Sequence, residues 1–201
     1  MELNNLKSEI TKPNKMKNLP KLLTLIFAIT LLSCGNNKKT ENAVEEVAEK
    51  PKSNMKIKLF NETANLLSKL SENGIGELKE WKNPEEMGWG SLTDYYQFGE
   101  QKDGVGMQNN LAYYLEGEEN YAKNLLLNLN VNNPKGKNEA VKLFSETSEN
   151  TFKTLEIEIP KGLLEAIKNG KDFKSENDNF TIDFKIEKSN IDTYKMEIVS
   201  K

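Results

Sequence analysis

Two segments near the end of the chain alternate so strictly that they leave little freedom of architecture. Phe180, Ile182, Phe184 and Ile186 alternate with Thr181, Asp183, Lys185 and Glu187. After a short turn, Tyr194, Met196 and Ile198 alternate with Lys195 and Glu197. A period of two gives a strand one apolar and one polar face. Strands of this kind bury one side and wet the other, which suits an antiparallel sheet covered on a single side. The same pattern runs through Leu125, Leu127, Leu129 and Val131, set against Asn124, Leu126, Asn128 and Asn130. Leu111, Tyr113 and Leu115 alternate before it, and residues 92–98 (LTDYYQF) form an earlier β-prone run followed by the turn-rich GEQKDGVG.

Between these runs the period changes. Phe60, Ala64, Leu67 and Leu70 recur at helical spacing, predicting a helix over 59–72 stopped by Asn73-Gly74. Asn133-Pro134 breaks the third strand. Val141, Phe144, Ser148 and Phe152 then share one side of a helix over 137–152. An extended link over 155–159 leads to Pro160, which suits the first turn of a third helix over 161–169, closed by Gly170. The order is helix, three strands, two helices, two strands. That is α+β: an antiparallel sheet of about five strands covered on one face by about three helices. The order is similar to that of secretion-chaperone-like α+β domains, as an analogy of topology alone.

Residue types exclude whole classes of chemistry. Among 201 residues there is no His, every basic residue is Lys, and Cys34 is the single Cys. Imidazole general bases, His-containing zinc sites, internal disulfides and guanidinium clamps are therefore excluded. The net charge is -3. No dense basic face is evident, so a nucleic-acid partner is not expected. No metal and no cofactor is expected either.

The N-terminus reads as an address. Lys12, Lys15, Lys17 and Lys21 precede an uncharged run of 11 residues, 22–32 (LLTLIFAITLL). About 20 apolar residues are needed to span a bilayer, so this run is too short, but it suits a signal-peptide core. Met16 offers an alternative start that gives a compact signal. The run ends in Leu31-Leu32-Ser33-Cys34, followed by Gly35. This resembles the lipobox of bacterial lipoproteins: Leu at -3, small Ser at -1 and Cys at +1 match, while Leu32 at -2 is bulkier than usual. The resemblance covers only about the first 35 residues. It implies cleavage before Cys34, a thioether-linked diacylglycerol and an amide-linked acyl chain on it, and a location in the cell envelope. Two or more chains make anchoring stable, at about 0.8 kcal/mol per buried methylene. Gly35, where Asp would mark inner-membrane retention in enteric bacteria, leans towards the outer membrane. Residues 1–33 are then signal peptide, 34–55 a lipidated Cys and polar tether spanning roughly 25 Å, and 56–201 one α+β domain.

Candidate sites in the domain are less specific. Glu85 and Glu86 lie near Trp81, Trp89 and Asp94 in sequence. Paired carboxylates beside aromatic platforms are what glycoside hydrolysis uses. The plain alternative is that the tryptophans cap the core and the acids solvate a loop. Asp103-Gly104, Glu116, Glu118 and Glu119 offer oxygens near turns without the spacing of a twelve-residue calcium loop. Asn124, Asn128 and Asn130 project together from one strand face, beside Tyr114 or Tyr96 on a neighbouring strand. Such residues make adaptable contacts; the plain alternative, which the pattern favours, is a solvated sheet face. Trp81, Trp89 and Tyr95 would dominate a binding surface if exposed. The sequence thus leads to a membrane-anchored envelope lipoprotein with a non-catalytic protein-binding domain, accessory, chaperone-like or immunity-type. The alternatives are a carboxylate-dependent glycan binder or hydrolase and a small-molecule or lipid carrier.

Overall fold

The computed structural model describes residues 53–101 and 107–201. The lipobox, Cys34, most of the tether and Asp103-Gly104 lie outside the described residues.

A single antiparallel sheet organises the domain. The strands are β1 (Trp89–Leu92), β2 (Tyr96–Phe98), β3 (Asn109–Glu118), β4 (Tyr121–Val131), β5 (Phe173–Glu176), β6 (Phe180–Glu187) and β7 (Asp192–Ser200). They lie in the order β1-β3-β4-β7-β6-β5, and β2 also pairs with β3. The helices are α1 (Thr63–Ser71), α2 (Lys137–Thr154) and α3 (Leu163–Asn169). The architecture is α+β, with the helices packed against the sheet. Among the described residues there are seven strands rather than five. The expected strand 92–98 is two short ones, and β5 lies in a stretch to which the sequence assigns no element, because its exposed Lys174 and Glu176 carry no apolar signal.

Alternating residues of β3, β4, β6 and β7 fill one continuous core. Leu111, Tyr113, Leu125, Leu127, Leu129, Ile182, Phe184, Met196 and Ile198 are all buried in it. α2 closes it from the helical side with Ala140, Phe144, Ser148 and Phe152; three of these belong to the predicted stripe, while Val141 is only partly buried and Ala140 takes the inward place. Phe144 packs 5.9 Å from Phe184 and 6.1 Å from Tyr194, ring centre to ring centre. α1 is shorter than expected. A 3-10 turn over Lys58–Asn61 precedes it, and the break at Glu62 resets the helical phase. Leu66 and Leu70 therefore point inward and Ala64 outward.

A directed hydrogen-bond chain ties the sheet to the helices. Thr154 Oγ1 donates to Asn73 Oδ1 (3.0 Å), and Asn73 Nδ2 donates to Tyr113 Oη (3.0 Å). Thr151 Oγ1 spends its proton on the Thr147 carbonyl (2.7 Å), so Tyr113 Oη donates to Thr151 across 2.6 Å. Every member is satisfied, as a buried polar network requires. Burial, against the pull of Thr151 and Asn73, pushes the Tyr113 phenol up to about 12 from 10.0. The unfolded chain therefore loses this proton first. Stability is fully present below pH 10 and falls as pH rises from 10 to 12, by about 2–3 kcal/mol. Tyr113→Phe is expected to reduce that alkaline slope in urea titrations at pH 9–12. It should also lower stability at pH 7 by about 1–2 kcal/mol, because the Asn73 amide loses its acceptor. An unchanged slope would place the alkaline transition on other groups.

Both ends of the described chain meet at one end of the sheet. Lys56 N–H donates to the Lys201 carbonyl (2.9 Å), and Ile57 N–H donates to Ser200 Oγ (3.0 Å). Met55 is held by Asn61, which accepts from its N–H (3.0 Å) and donates to its carbonyl (2.9 Å).

Candidate functional site

The uncovered face of the sheet gathers most of the residues singled out in the sequence. Register places them in rows across the strands. Leu92 lies opposite Tyr114, Tyr114 opposite Leu126, Leu126 opposite Glu197, and Glu197 opposite Asp183. One row over, Glu116, Asn124 and Val199 line up. On the other side Ala112, Asn128 and Lys195 form a row, followed by Asn110, Asn130 and Thr193. The half built by β1, β3 and β4 is apolar and amide-rich, and the half built by β6 and β7 is charged.

Tyr95 joins this face because of a bulge. Thr93 N–H donates to the Tyr113 carbonyl (3.1 Å), and the Tyr113 N–H goes to Thr93 Oγ1 (3.0 Å) rather than to a backbone carbonyl. The side chain thus completes the ladder and lets the backbone bend. From Leu92 to Tyr96 the edge advances four residues while β3 advances three, from Tyr114 to Leu111. The extra residue exchanges faces. Tyr95 turns to the open side, where Tyr114 Oη donates to its hydroxyl at 3.2 Å. Tyr96 goes to the opposite side and stacks on Phe98 at 6.1 Å. The expected tyrosine neighbour of the Asn row is therefore Tyr114 and not Tyr96. Burial first, then the Tyr95 hydroxyl and its charge, push Tyr114 up to about 12. It stays a neutral donor at neutral pH.

The amides are mostly engaged with one another. Asn130 Nδ2 donates to Asn110 Oδ1 (2.9 Å), and Asn130 Oδ1 accepts from Thr193 Oγ1 (3.2 Å). Asn124 Nδ2 donates to Glu197 (3.2 Å) and more weakly to Glu116 (3.4 Å). Asn128 is nearly buried between them. This pre-organises the face. By contrast, Leu92 is 42 % and Tyr95 55 % exposed, large apolar surface with nothing over it among the described residues.

The tryptophans lie at the β1 edge of the sheet. Trp81 packs against the edge of the core and donates its Nε1–H to the Glu118 carbonyl (3.1 Å). Trp89 is half-buried on β1 and lines a depression of about 350 Å³ with Pro84, Met87 and Leu92. Glu85 and Glu86 form an exposed turn in which both residues have left-handed φ, 51° and 61°. Such backbone is strained. Asn83 Oδ1 holds it closed by accepting from Gly88 N–H (2.9 Å), and the turn leaves Met87 78 % exposed. Asp94 lies beyond the other end of β1, paired with Lys79. β1 thus separates Asp94 from the two glutamates. Glu118 is paired with Lys123. Among the described residues no group of three or more acidic side chains could hold a metal ion, and no helix is long and apolar enough to cross a membrane.

The alternation in the sequence already puts Leu126 on the Asn124 face; Leu92 and Asn110 are the residues of this face that it does not single out. Asn110 could be read from the alternation of Leu111, Tyr113 and Leu115, which leaves it on the other face of β3, whereas Leu92 is placed by the β1–β3 pairing, which the sequence does not record. The chain matches no protein-family model, no curated protein and no solved structure.

Proposed function

We propose that this is a lipid-anchored envelope lipoprotein whose domain binds another envelope protein, without catalysis, through the open face of its sheet. The observation that carries the docking reading is the uncovered row of Leu92, Tyr114 and Leu126 with Tyr95 beside it, rimmed by amides and charges. Aromatic and aliphatic anchors inside a polar rim are the anatomy of a protein interface. Tyrosines pre-positioned by their own hydrogen bond lose little entropy on contact. The anchor reading rests on the lipobox-like Leu31-Leu32-Ser33-Cys34.

The two parts are tested separately. Metabolic labelling with an alkynyl fatty acid should tag the protein and fail on Cys34→Ala; equal labelling of both removes the anchor. A photo-crosslinking amino acid at Tyr95 or Leu92, expressed in the source cells, should give one common protein adduct. The same probe at Asn150, exposed on α2, should not give it. Adducts that are the same from all three positions, or none from Tyr95 and Leu92, would remove the docking face.

A further inference from the structure

At the end of the sheet away from Ser200, a groove of about 930 Å³ opens between α2, α3 and the β6–β7 turn. Its apolar lining is Val141, Leu164 and Tyr194, of which the first two are partly buried against the core and Tyr194 is buried. Four ammonium groups also line it: Lys137, Lys142, Lys168 and Lys188. Three carboxylates stand against them: Glu146 and Glu165 in the lining and Asp192 beside Lys137, with Glu146 facing Lys142 at 3.7 Å. Lys137 is fixed by Asp192 (2.7 Å) and stands 5.9 Å from the Tyr194 ring centre. Lys168 and Lys188 make no ion pair among the described residues. The groove thus keeps one excess positive charge, carried on the Lys168 and Lys188 side, in a chain of net charge -3. The first turn of α2, the positive end of an 18-residue helix dipole, also borders it. The volume lies within the ~300–1,000 Å³ common for small-molecule sites, which pair an apolar lining with a few placed charges.

We propose that this groove binds a small organic anion: a carboxylate or phosphate monoester on a short aliphatic body. The aliphatic part lies along Val141, Leu164 and Tyr194, and the head group meets Lys188 and Lys168. The site is separate from the open sheet face and stands or falls independently of the docking reading.

Octanoate, octyl phosphate, inorganic phosphate and octyl glucoside, titrated into the full chain, test it by calorimetry and amide chemical shifts. At least one octyl anion is expected to bind with Kd of about 0.1–1 mM and to move the Val141, Leu164 and Tyr194 amides. Phosphate alone and the neutral glucoside should bind at least about tenfold more weakly. A preference for one octyl anion supports the site and assigns its head group. The double substitution Lys168→Gln/Lys188→Gln changes two exposed side chains, so folding should be retained while octyl-anion affinity falls about tenfold. Glucoside binding as tight as the anions, shifts that map elsewhere, no binding by either anion, or affinity unchanged in the double variant would each overturn the proposal.

Discussion

Phe144→Ala is expected to destabilise the domain by about 3–5 kcal/mol, the range for truncating a fully buried phenylalanine. Phe144 has no exposed surface and meets two further rings, Phe184 and Tyr194, at about 6 Å. Those rings are held by β6 and β7 on one side and cannot follow α2 inward without breaking ladder pairs. The vacated volume therefore persists as a cavity rather than collapsing. For a domain of this size the loss corresponds to a fall in melting temperature of about 10–15 °C. Phe144→Leu keeps most of the volume and should cost only about 1–2 kcal/mol. Urea unfolding followed by circular dichroism measures both. A loss below 1 kcal/mol for the alanine variant would mean that α2 does not close the core where the structure places it.

This helix shows why much of the fold was legible. The apolar stripe of α2 and the alternation in β4, β6 and β7 come from burial, and burial writes a period into the sequence. The elements that escaped are those whose existence depends on a neighbour. β5 has four residues and is a strand because β6 offers it an edge. The break inside 92–98 depends on the Thr93 hydroxyl reaching the Tyr113 N–H, a tertiary event that propensity does not record. That break decides which tyrosine faces outward, so the candidate site was readable only in part. Asn124, Asn128 and Asn130 were placed correctly on one face by parity. In the sequence Tyr95 reads only as an aromatic, and Tyr114 is one of two tyrosines that could neighbour the Asn row. The groove between α2 and α3 had no sequence signal, because its lysines come from both helices and a turn that meet only in the fold.

Gly117→Ala is expected to cost about 3 kcal/mol or more, at the upper end for an overpacked site. Gly117 lies at a bulge in β3, where pairing shifts from Glu116 opposite Asn124 to Gly117 opposite Ala122. A Cβ there would stand 2.2 Å from the Tyr121 carbonyl oxygen, 2.7 Å from Ala122 Cα and 3.0 Å from Lys123 N. All three are backbone atoms of β4, so no side chain can rotate away, and the hairpin itself must open. The contrast is Gly74, which has φ of 81° but nothing within 4 Å of a new Cβ. Alanine there should cost only the left-handed strain, about 1–2 kcal/mol. The hairpin can relieve the Gly117 clash in two ways, and they differ in consequence. If only its tip frays, the Glu118 carbonyl leaves Trp81, and tryptophan emission should shift to the red while the Asn110–Asn130 pairing stays protected from hydrogen exchange. If β3 instead slips by one residue on β4, Leu127 and Asn128 no longer oppose their own face partners. A one-residue slip against a buried face exposes the core set, so that route costs far more than fraying. Fraying is the expected result, with amide exchange accelerated at 117–123 and unchanged at 125–131. Acceleration along the whole of β4 would show that this single glycine, rather than the apolar alternation, sets the register on which the Leu92–Tyr114–Leu126 row depends.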